Sequence, residues 1–408
     1  MKGNVLVGQS GGPTAAINSS LAGVYKAAKD LEAGKVYGML YGIQGLLDEK
    51  YVDLDKHFNS DMKIELLKRT PSSYLGSCRY KLADYEEDNS DYIKIFNILN
   101  QLEIKFFFYI GGNDSMDTIK KLSDYGEKIK SQVRFIGVPK TIDNDLAVTD
   151  HTPGYGSAAK FIAATTKEII RDALVYDQKN VTIIEIMGRN VGWLTGAAAL
   201  ACDGDNPGPD LIYLPEVDFD IEDFLFKIKE LQKTKKALVI AVSEGIHLAD
   251  KRYVCELEQE RKVTDQFGHA MLSGAGKYLS NLIIRENGCK SRGIELNTLQ
   301  RCASHMASLV DINEAYQAGA AAVKAAMEGK TGEMIVLIRT SDHPYQCTTG
   351  TYDIHKIANL EKKVPLEWIK KDGTGVTEDF VNYVRPLIQD ELTPIMIDGL
   401  PKHIRYNC

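Results

Sequence analysis

The stretch Lys140-Thr141-Ile142-Asp143-Asn144-Asp145 puts an ammonium, a hydroxyl and two carboxylates directly behind an apolar run, 133–138, and Pro139. A lysine can hold a phosphate as a compact point charge, and a nearby carboxylate can take the proton of an attacking hydroxyl. That pairing suits phosphoryl transfer, in which positioning and charge stabilisation do most of the work. Taken alone, the stretch fits an Asx turn at a strand end equally well, because Asp and Asn side chains readily bond their own backbone. The other loops of the chain must separate the two readings.

Several of them follow the same plan of apolar run, then glycine and polar residues. Residues 4–7 run into Gly8-Gln9-Ser10-Gly11-Gly12-Pro13-Thr14 and a helical pattern over about 15–31, a cradle whose backbone N–H groups favour an anion. Residues 105–110 end in Gly111-Gly112-Asn113-Asp114-Ser115, where glycines admit a ligand close to the backbone and Asp114 or Ser115 is placed to cap a helix over 116–125. Residues 181–186 end in Met187-Gly188-Arg189, and an arginine directly behind a buried strand is hard to explain as a solvated surface residue. Residues 237–242 end in Ser243-Glu244-Gly245. Arg79 sits on a Gly/Ser turn from which it could grip a phosphate bidentately, and 290–301 is a polar segment carrying Arg292, Glu295, Gln300 and Arg301.

Elements must hold these loops. Short apolar runs alternating with helical patterns predict an α/β fold with a mostly parallel, doubly wound sheet, or two of them. Helices are expected over about 92–102 and from Ser157 to about Leu174, the latter with Phe161, Ile162, Thr165, Ile169 and Leu174 inward. A late strand is expected at 335–338, and an exposed loop or helix entrance at the charged segment 84–91.

Composition narrows the partners. A chain of 408 residues with 44% hydrophobic residues has room for two or three domains. A formal charge of -7 and the lack of any Lys/Arg block argue against nucleic acid. Seven scattered cysteines without a C-x-x-C pair suit a reducing cytoplasm and give neither a disulfide framework nor a zinc site. No H-E-x-x-H spacing occurs, and no signal-peptide core or apolar span is present, so a soluble cytoplasmic protein away from membranes is expected. Three short patterns are set aside on context. Gly8-x-Ser10-x-Gly12 lacks the earlier strands of a hydrolase sheet, Gly154-x-Gly156-x-x-Ala159 lacks a preceding strand, and Gly329-Lys330-Thr331 precedes a strand instead of following one.

In chain order, Gly11-Gly12, Gly111–Ser115, Pro139–Asp145 and Met187–Arg189 together resemble the phosphofructokinase family, from about residue 4 to about residue 325. The resemblance implies two Rossmann-like domains with the active site between them. Residues 1–152 with about 303–360 would bind the phosphoryl donor, and 153–302 with about 361–408 the sugar phosphate. The implied reaction moves a phosphoryl group onto the 1-hydroxyl of fructose 6-phosphate, an early step of glycolysis. Asp143 would be the general base, with Lys140, Thr141 and Arg189 as its catalytic partners. Gly11, Gly12, Arg79, Gly112, Asp114 and Lys140 would hold the donor. Thr141, Asp143, Met187, Gly188, Arg189, Glu244, Arg292 and Arg301 would hold the sugar phosphate. Arg292 would reach the site of an adjacent subunit, which implies a homo-oligomer, a dimer or tetramer.

Departures within the family point to the donor. ATP-using members have glycine at the positions of Asp114 and Lys140, whereas pyrophosphate-using members are similar to this chain at both. A carboxylate at Asp114 would repel a nucleotide's α-phosphate, Lys140 supplies a cation for a short donor, and Ile43 stands where an aromatic platform for adenine would be. Reversible transfer from pyrophosphate is therefore expected. The alternatives are an ATP-dependent kinase of the same fold and a non-catalytic regulatory paralogue. A dinucleotide-dependent oxidoreductase lacks its strand-borne fingerprint. Mg²⁺ is expected to bridge the donor's oxygens, yet the family's metal-binding aspartate is Asn113 here, a weaker ligand for a hard cation. Ala22 stands where bacterial allosteric members have an effector-binding arginine. The stretch after about Thr340 carries no functional reading.

Overall fold

The computed structural model describes residues 3–257, 274–357 and 360–406. Runs rich in Val, Ile and Phe form its strands. In the first part of the chain these are β1 (Asn4–Gln9), β2 (Val36–Met39), β3 (Tyr51–Asp53), β4 (Ile104–Gly111) and β5 (Arg134–Pro139). The middle supplies β6 (Asn180–Ile186), β7 (Leu211–Tyr213), β8 (Ala237–Ser243) and β9 (Lys290–Glu295). The end supplies β10 (Glu333–Asp342) and β11 (Tyr345–Asp353). They assemble into a seven-stranded sheet, β11-β10-β5-β4-β1-β2-β3, and a four-stranded sheet, β9-β6-β8-β7. The four-stranded sheet is parallel throughout, and the larger one is parallel except at its two margins, β10–β11 and β2–β3. This is the expected α/β architecture of two doubly wound sheets.

In the larger sheet the connections from β1 and from β4 run in opposite directions, so the strand order reverses between these neighbours. A crevice opens at the carboxyl edge of such a reversal. Both of the glycine loops, after β1 and after β4, end there.

The main helices for the site are α1 (Ile17–Asp30), α2 (Asn113–Lys128), α3 (Tyr155–Ala173), α4 (Leu309–Met327) and α5 (Glu378–Val384). Three expectations are corrected. Helix α2 begins at Asn113 with Gly112 as N-cap and no side-chain cap, and Ser115 is buried within the first turn. Helix α3 buries Ile162, Thr166, Ile170 and Ala173, while Thr165 and Ile169 are half-buried and Leu174 is exposed, because the stripe follows the period of 3.6 more closely than the pattern of apolar letters. The polar segment 290–301 contains the edge strand β9 and a short helix, Leu299–Cys302; as an edge strand β9 exposes its charged side chains, which hides it from a hydrophobicity reading.

The stretch after Thr340 is packed on both sheets. Val364, Ile369, Val376, Phe380, Val384 and Leu387 enter the apolar core beside α3, where Phe380 stacks on Trp193 at 5.8 Å. Ile404 and Tyr406 return to the core of the larger sheet.

Helices α1 and α4 cross at two glycines. A Cβ on Gly23 would lie 2.0 Å from the Tyr316 carbonyl oxygen, and one on Gly319 would lie 2.1 Å from that of Ser20. Backbone blocks both positions, so relief requires the helices to separate. Gly23→Val is expected to cost about 3 kcal/mol or more, read as a fall in Tm of ~3 °C or more by thermal denaturation. An unchanged melt would refute this account of the crossing.

Candidate active site

Loops from the carboxyl ends of β1, β4 and β5 on one side and β6 and β8 on the other enclose a cleft of about 400 Å³. Its lining includes Gly11, Gly12, Arg79, Gly112, Asn113, Asp114, Lys140, Thr141, Asp143, Met187, Arg189, Glu244 and Arg301. All the sequence-derived site residues therefore converge except two. Gly188 lies behind the lining, and Arg292 is on edge strand β9, half-exposed and 3.9 Å from Asp172, away from the cleft of its own chain.

Each loop has a local reason for its shape. Gly11 takes φ +75, and the Lys140 ammonium lies 3.3 Å from where a Cβ would be. Thr14 Oγ1 accepts the backbone N–H groups of Ala16 and Ile17, which fixes the entry to α1. A Cβ on Gly111 would strike Ser115 Oγ at 1.8 Å. Gly188 takes φ +133 against the Val191 carbonyl, its N–H donates to Glu244 Oε1 at 3.3 Å, and its carbonyl accepts the Ser243 hydroxyl at 2.6 Å. The pattern Gly154-x-Gly156 has a packing explanation. Gly156 lies against the Leu387 carbonyl, and the Asp311 carboxylate accepts the N–H groups of Gly154 and Ser157, filling the start of α3. Ile43 is buried in an apolar core and presents no face to the cleft.

Lys140 is 2% exposed, and its ammonium donates to the Gly12 carbonyl at 2.7 Å. Burial lowers its pKa to about 8 against the opposing pull of Asp143 and Asp145. Asp143 Oδ2 accepts the Thr141 hydroxyl at 3.3 Å, while Thr141 Oγ1 accepts the Asp143 N–H at 3.1 Å. Burial raises the Asp143 carboxyl, with Lys140, Thr141 and Arg301 working against it. Burial, then the charges of Asp143 and Glu361, push Asp145 up to about 7. Glu244 also rises to about 7, chiefly through burial. The cleft thus holds carboxylates that exchange protons near neutrality around a buried cation, a setting for general base catalysis.

Asn113 Nδ2 donates to Asp145 Oδ2 at 3.1 Å, which leaves Asn113 Oδ1 buried and without a hydrogen-bond partner. An orphaned buried oxygen beside carboxylates fits the donor set of a hard cation.

Reading the sequence missed Asn190 and Glu361, which also line the cleft, and the hub that fixes the far end of the loop after β5. His151 is buried between Asp150 Oδ1 at 2.8 Å and Glu314 Oε2 at 2.6 Å. Arg339 contacts Asp150 at 3.0 Å, and Tyr345 donates to Glu314 Oε1 at 2.6 Å. The Lys362 ammonium donates to the Asp150 carbonyl at 2.6 Å and the Thr149 carbonyl at 3.2 Å, and the Tyr383 hydroxyl also donates to the Asp150 carbonyl at 2.6 Å. Cys347 completes a His151, Glu314 and Cys347 group with ligand atoms within 4.8 Å of one another. Both histidine nitrogens already face carboxylates, and burial pushes the Cys347 thiol up to about 12, so a salt-bridged cluster accounts for the group.

This geometry is that of a sugar-phosphate phosphotransferase with the phosphofructokinase architecture. The chain belongs to the phosphofructokinase family, whose model, described as "Phosphofructokinase", matches residues 4–326. It is 41% identical over 406 residues to a Xanthomonas campestris protein named pyrophosphate--fructose 6-phosphate 1-phosphotransferase, covering 98% of this chain and 96% of that one. A Halomonas elongata protein of the same name is 40% identical over 403 residues, covering 98% and 95%. The crystal structure of a pyrophosphate-dependent phosphofructokinase from Nitrosospira multiformis superposes with a TM-score of 0.88 at 35% identity, covering 98% of this chain and 96% of that one. The family match ends before Arg339, Tyr345, Lys362 and Tyr383, whereas the full-length relatives extend over them.

The hub predicts a pH dependence of stability. Burial alone would lower the His151 pKa, but the charges of Glu314 and Asp150 outweigh it and raise it to about 9. A raised folded-state pKa gives stability that is fully present below about pH 6.5, the unfolded value, and lost as pH rises through about 9. Denaturant unfolding should show a loss on the order of 3 kcal/mol across that window. His151→Gln should flatten it, and an equal slope in both proteins would refute the assignment.

Proposed function

We propose that the protein catalyses reversible, Mg²⁺-dependent phosphoryl transfer from pyrophosphate to the 1-hydroxyl of fructose 6-phosphate, giving fructose 1,6-bisphosphate and phosphate. The observation that carries this reading is the buried Lys140 ammonium, which lines one cleft together with Asp143 and Asp114. A buried cation serves a small, highly charged donor, and the Asp114 carboxylate disfavours the longer phosphate chain of a nucleotide. The names carried by the full-length relatives support the same donor.

In this reading Asp143 takes the proton of the sugar 1-hydroxyl. Lys140, Thr141 and Arg189 stabilise the phosphoryl group in transit. Gly11, Gly12, Arg79, Gly112 and Asp114 frame the donor, and Met187, Gly188, Glu244 and Arg301 frame the sugar phosphate. The donor side would belong to residues 1–152 with about 303–360, and the sugar side to 153–302 with about 361–408. Asn113 and Asp145 would hold Mg²⁺, which neutralises charge on the donor's oxygens when bound. Arg292, exposed on its edge strand, would serve a neighbouring subunit in a homo-oligomer. A cytoplasmic setting fits the free thiols of all six described cysteines, and among the described residues no helix is long and apolar enough to cross a membrane.

Assay with pyrophosphate and with ATP tests the donor directly; faster turnover with ATP would overturn it. Asp143→Ser and Lys140→Met should each lower kcat by about 10²- to 10³-fold with the KM for fructose 6-phosphate little changed. With Lys140 protonated only below about 8, kcat/KM should fall on the alkaline side with an inflection near that value. The same alkaline limb persisting in Lys140→Met would remove Lys140 as its source.

A further inference from the structure

Asp143, the proton acceptor of the proposed reaction, sits on the loop after β5, and Arg189 sits on the loop after β6, a strand of the other sheet. Phosphoryl transfer depends on how firmly such groups are held relative to one another, and a shift of about 1 Å can cost on the order of 10²-fold in rate. A short segment late in the chain joins the two loops. On the side of β5, Glu361 pairs with Leu146 in an antiparallel bridge, and the Lys362 N–H donates to the Asp145 carbonyl at 2.7 Å. The Lys362 ammonium donates to the Asp150 carbonyl at 2.6 Å, the Thr149 carbonyl at 3.2 Å and Asn144 Oδ1 at 3.4 Å. On the side of β6, the Lys362 carbonyl accepts the Trp193 indole N–H at 2.9 Å, and Glu216 Oε1 accepts the N–H groups of Val364 at 3.1 Å and Gly192 at 2.8 Å. The Asn190 amide donates to Glu361 Oε1 at 3.0 Å.

Lys362 therefore bonds to both loops from a single position. The three donors of its ammonium meet three oxygens of one loop, and its carbonyl takes the indole of the other. The ammonium also lies 5.2 Å from the centre of the Trp193 ring, within cation–π range. Trp193 is itself wedged, stacked on Phe380 and tilted against Tyr383 at 5.3 Å, whose hydroxyl shares the Asp150 carbonyl. Lys362 does not line the cleft, so it acts through the loops and not on a substrate. We infer that Lys362 is a positioning residue that fixes the loop carrying Asp143 against the loop carrying Arg189, so that 361–364 straps the two sheets together across the site. Its effect on turnover rests on the phosphotransferase reading above; the coupling of the two loops does not.

Hydrogen–deuterium exchange of the full chain tests that coupling without turnover. K362M keeps the backbone bonds and removes the ammonium; losing one or two hydrogen bonds should speed exchange about tenfold in 143–150 and, because the strap is shared, in 187–193 as well. Core strand β4 reports global opening and is the reference for both. W193F keeps an aromatic ring, loses the indole N–H and should give the reciprocal pattern, with faster exchange in both loops; it stands as the test should K362M fail to fold. In turnover both variants should lower kcat, K362M by about 10- to 100-fold, with the KM for fructose 6-phosphate within about threefold of the parent. A mere loss of stability would instead speed exchange in β4 along with the loops and leave kcat per folded molecule at the parental value. Faster exchange confined to 143–150 in K362M, or to 187–193 in W193F, overturns the inference, as does parental kcat in both. A parent protein that prefers ATP would refute the donor reading and leave the exchange result as it is.

Discussion

A lysine ammonium taken out of water is the constraint around which this protein is arranged. Burying an isolated charge is costly, and Lys140 is kept in place because a carbonyl and two carboxylates face it. Each of those partners requires something further. The Gly12 carbonyl is available because Gly11 takes a left-handed turn that leaves room for the ammonium. Asp143 and Asp145 stay beside it because the loop carrying them is bonded at both ends, through the Lys140 N–H to the Gly111 carbonyl and through Asp145 to the Lys362 N–H. The cation therefore couples three loops that would otherwise be held only by their strands.

The far side of that loop shows how a distant segment can position a site. Asn144 and Val148 both adopt positive φ, which an asparagine tolerates but which is unfavourable for the β-branched Val148 and persists there because bonds from the surrounding structure hold the loop. The bonds come from Lys362 and Tyr383, which share the Asp150 carbonyl, and from Arg339 on the Asp150 carboxylate. His151 lies between Asp150 and Glu314, whose charges raise its pKa to about 9 and favour its protonated form. The segment after β11 thus belongs to the site's framework, and it reaches both sheets through separate apolar contacts.

Much of this was legible in the residues. The strands β1, β4, β5, β6 and β8 are apolar runs with glycine or polar residues behind them, and local chemistry suffices to mark them. The loops behind them carry distinctive residue types at short range, and these are the loops that meet. Less could be read where the determining partner is remote. Glu361 and Lys362 stand in a run of charged residues that reads as a solvated loop; only their contacts with Leu146 and Asp150 give them work. Strand β9 carries Arg292 and Glu295 and was hidden because an edge strand need not be apolar. The cap of α2 was misplaced because Ser115 is required by packing against Gly111, not by the helix terminus.

The sequence by itself determined the α/β class, the family, and the types of group at each loop, because hydrophobic periodicity, glycine turns and short motifs are local properties. Tertiary structure alone decided which charges are buried, and with that the protonation of Lys140, Asp145 and Glu244, because desolvation depends on neighbours drawn from distant parts of the chain. It also decided that Arg292 points away from its own cleft while Glu361 points into it. Both are charged residues in polar segments, and only the position of each segment relative to the two sheets distinguishes them.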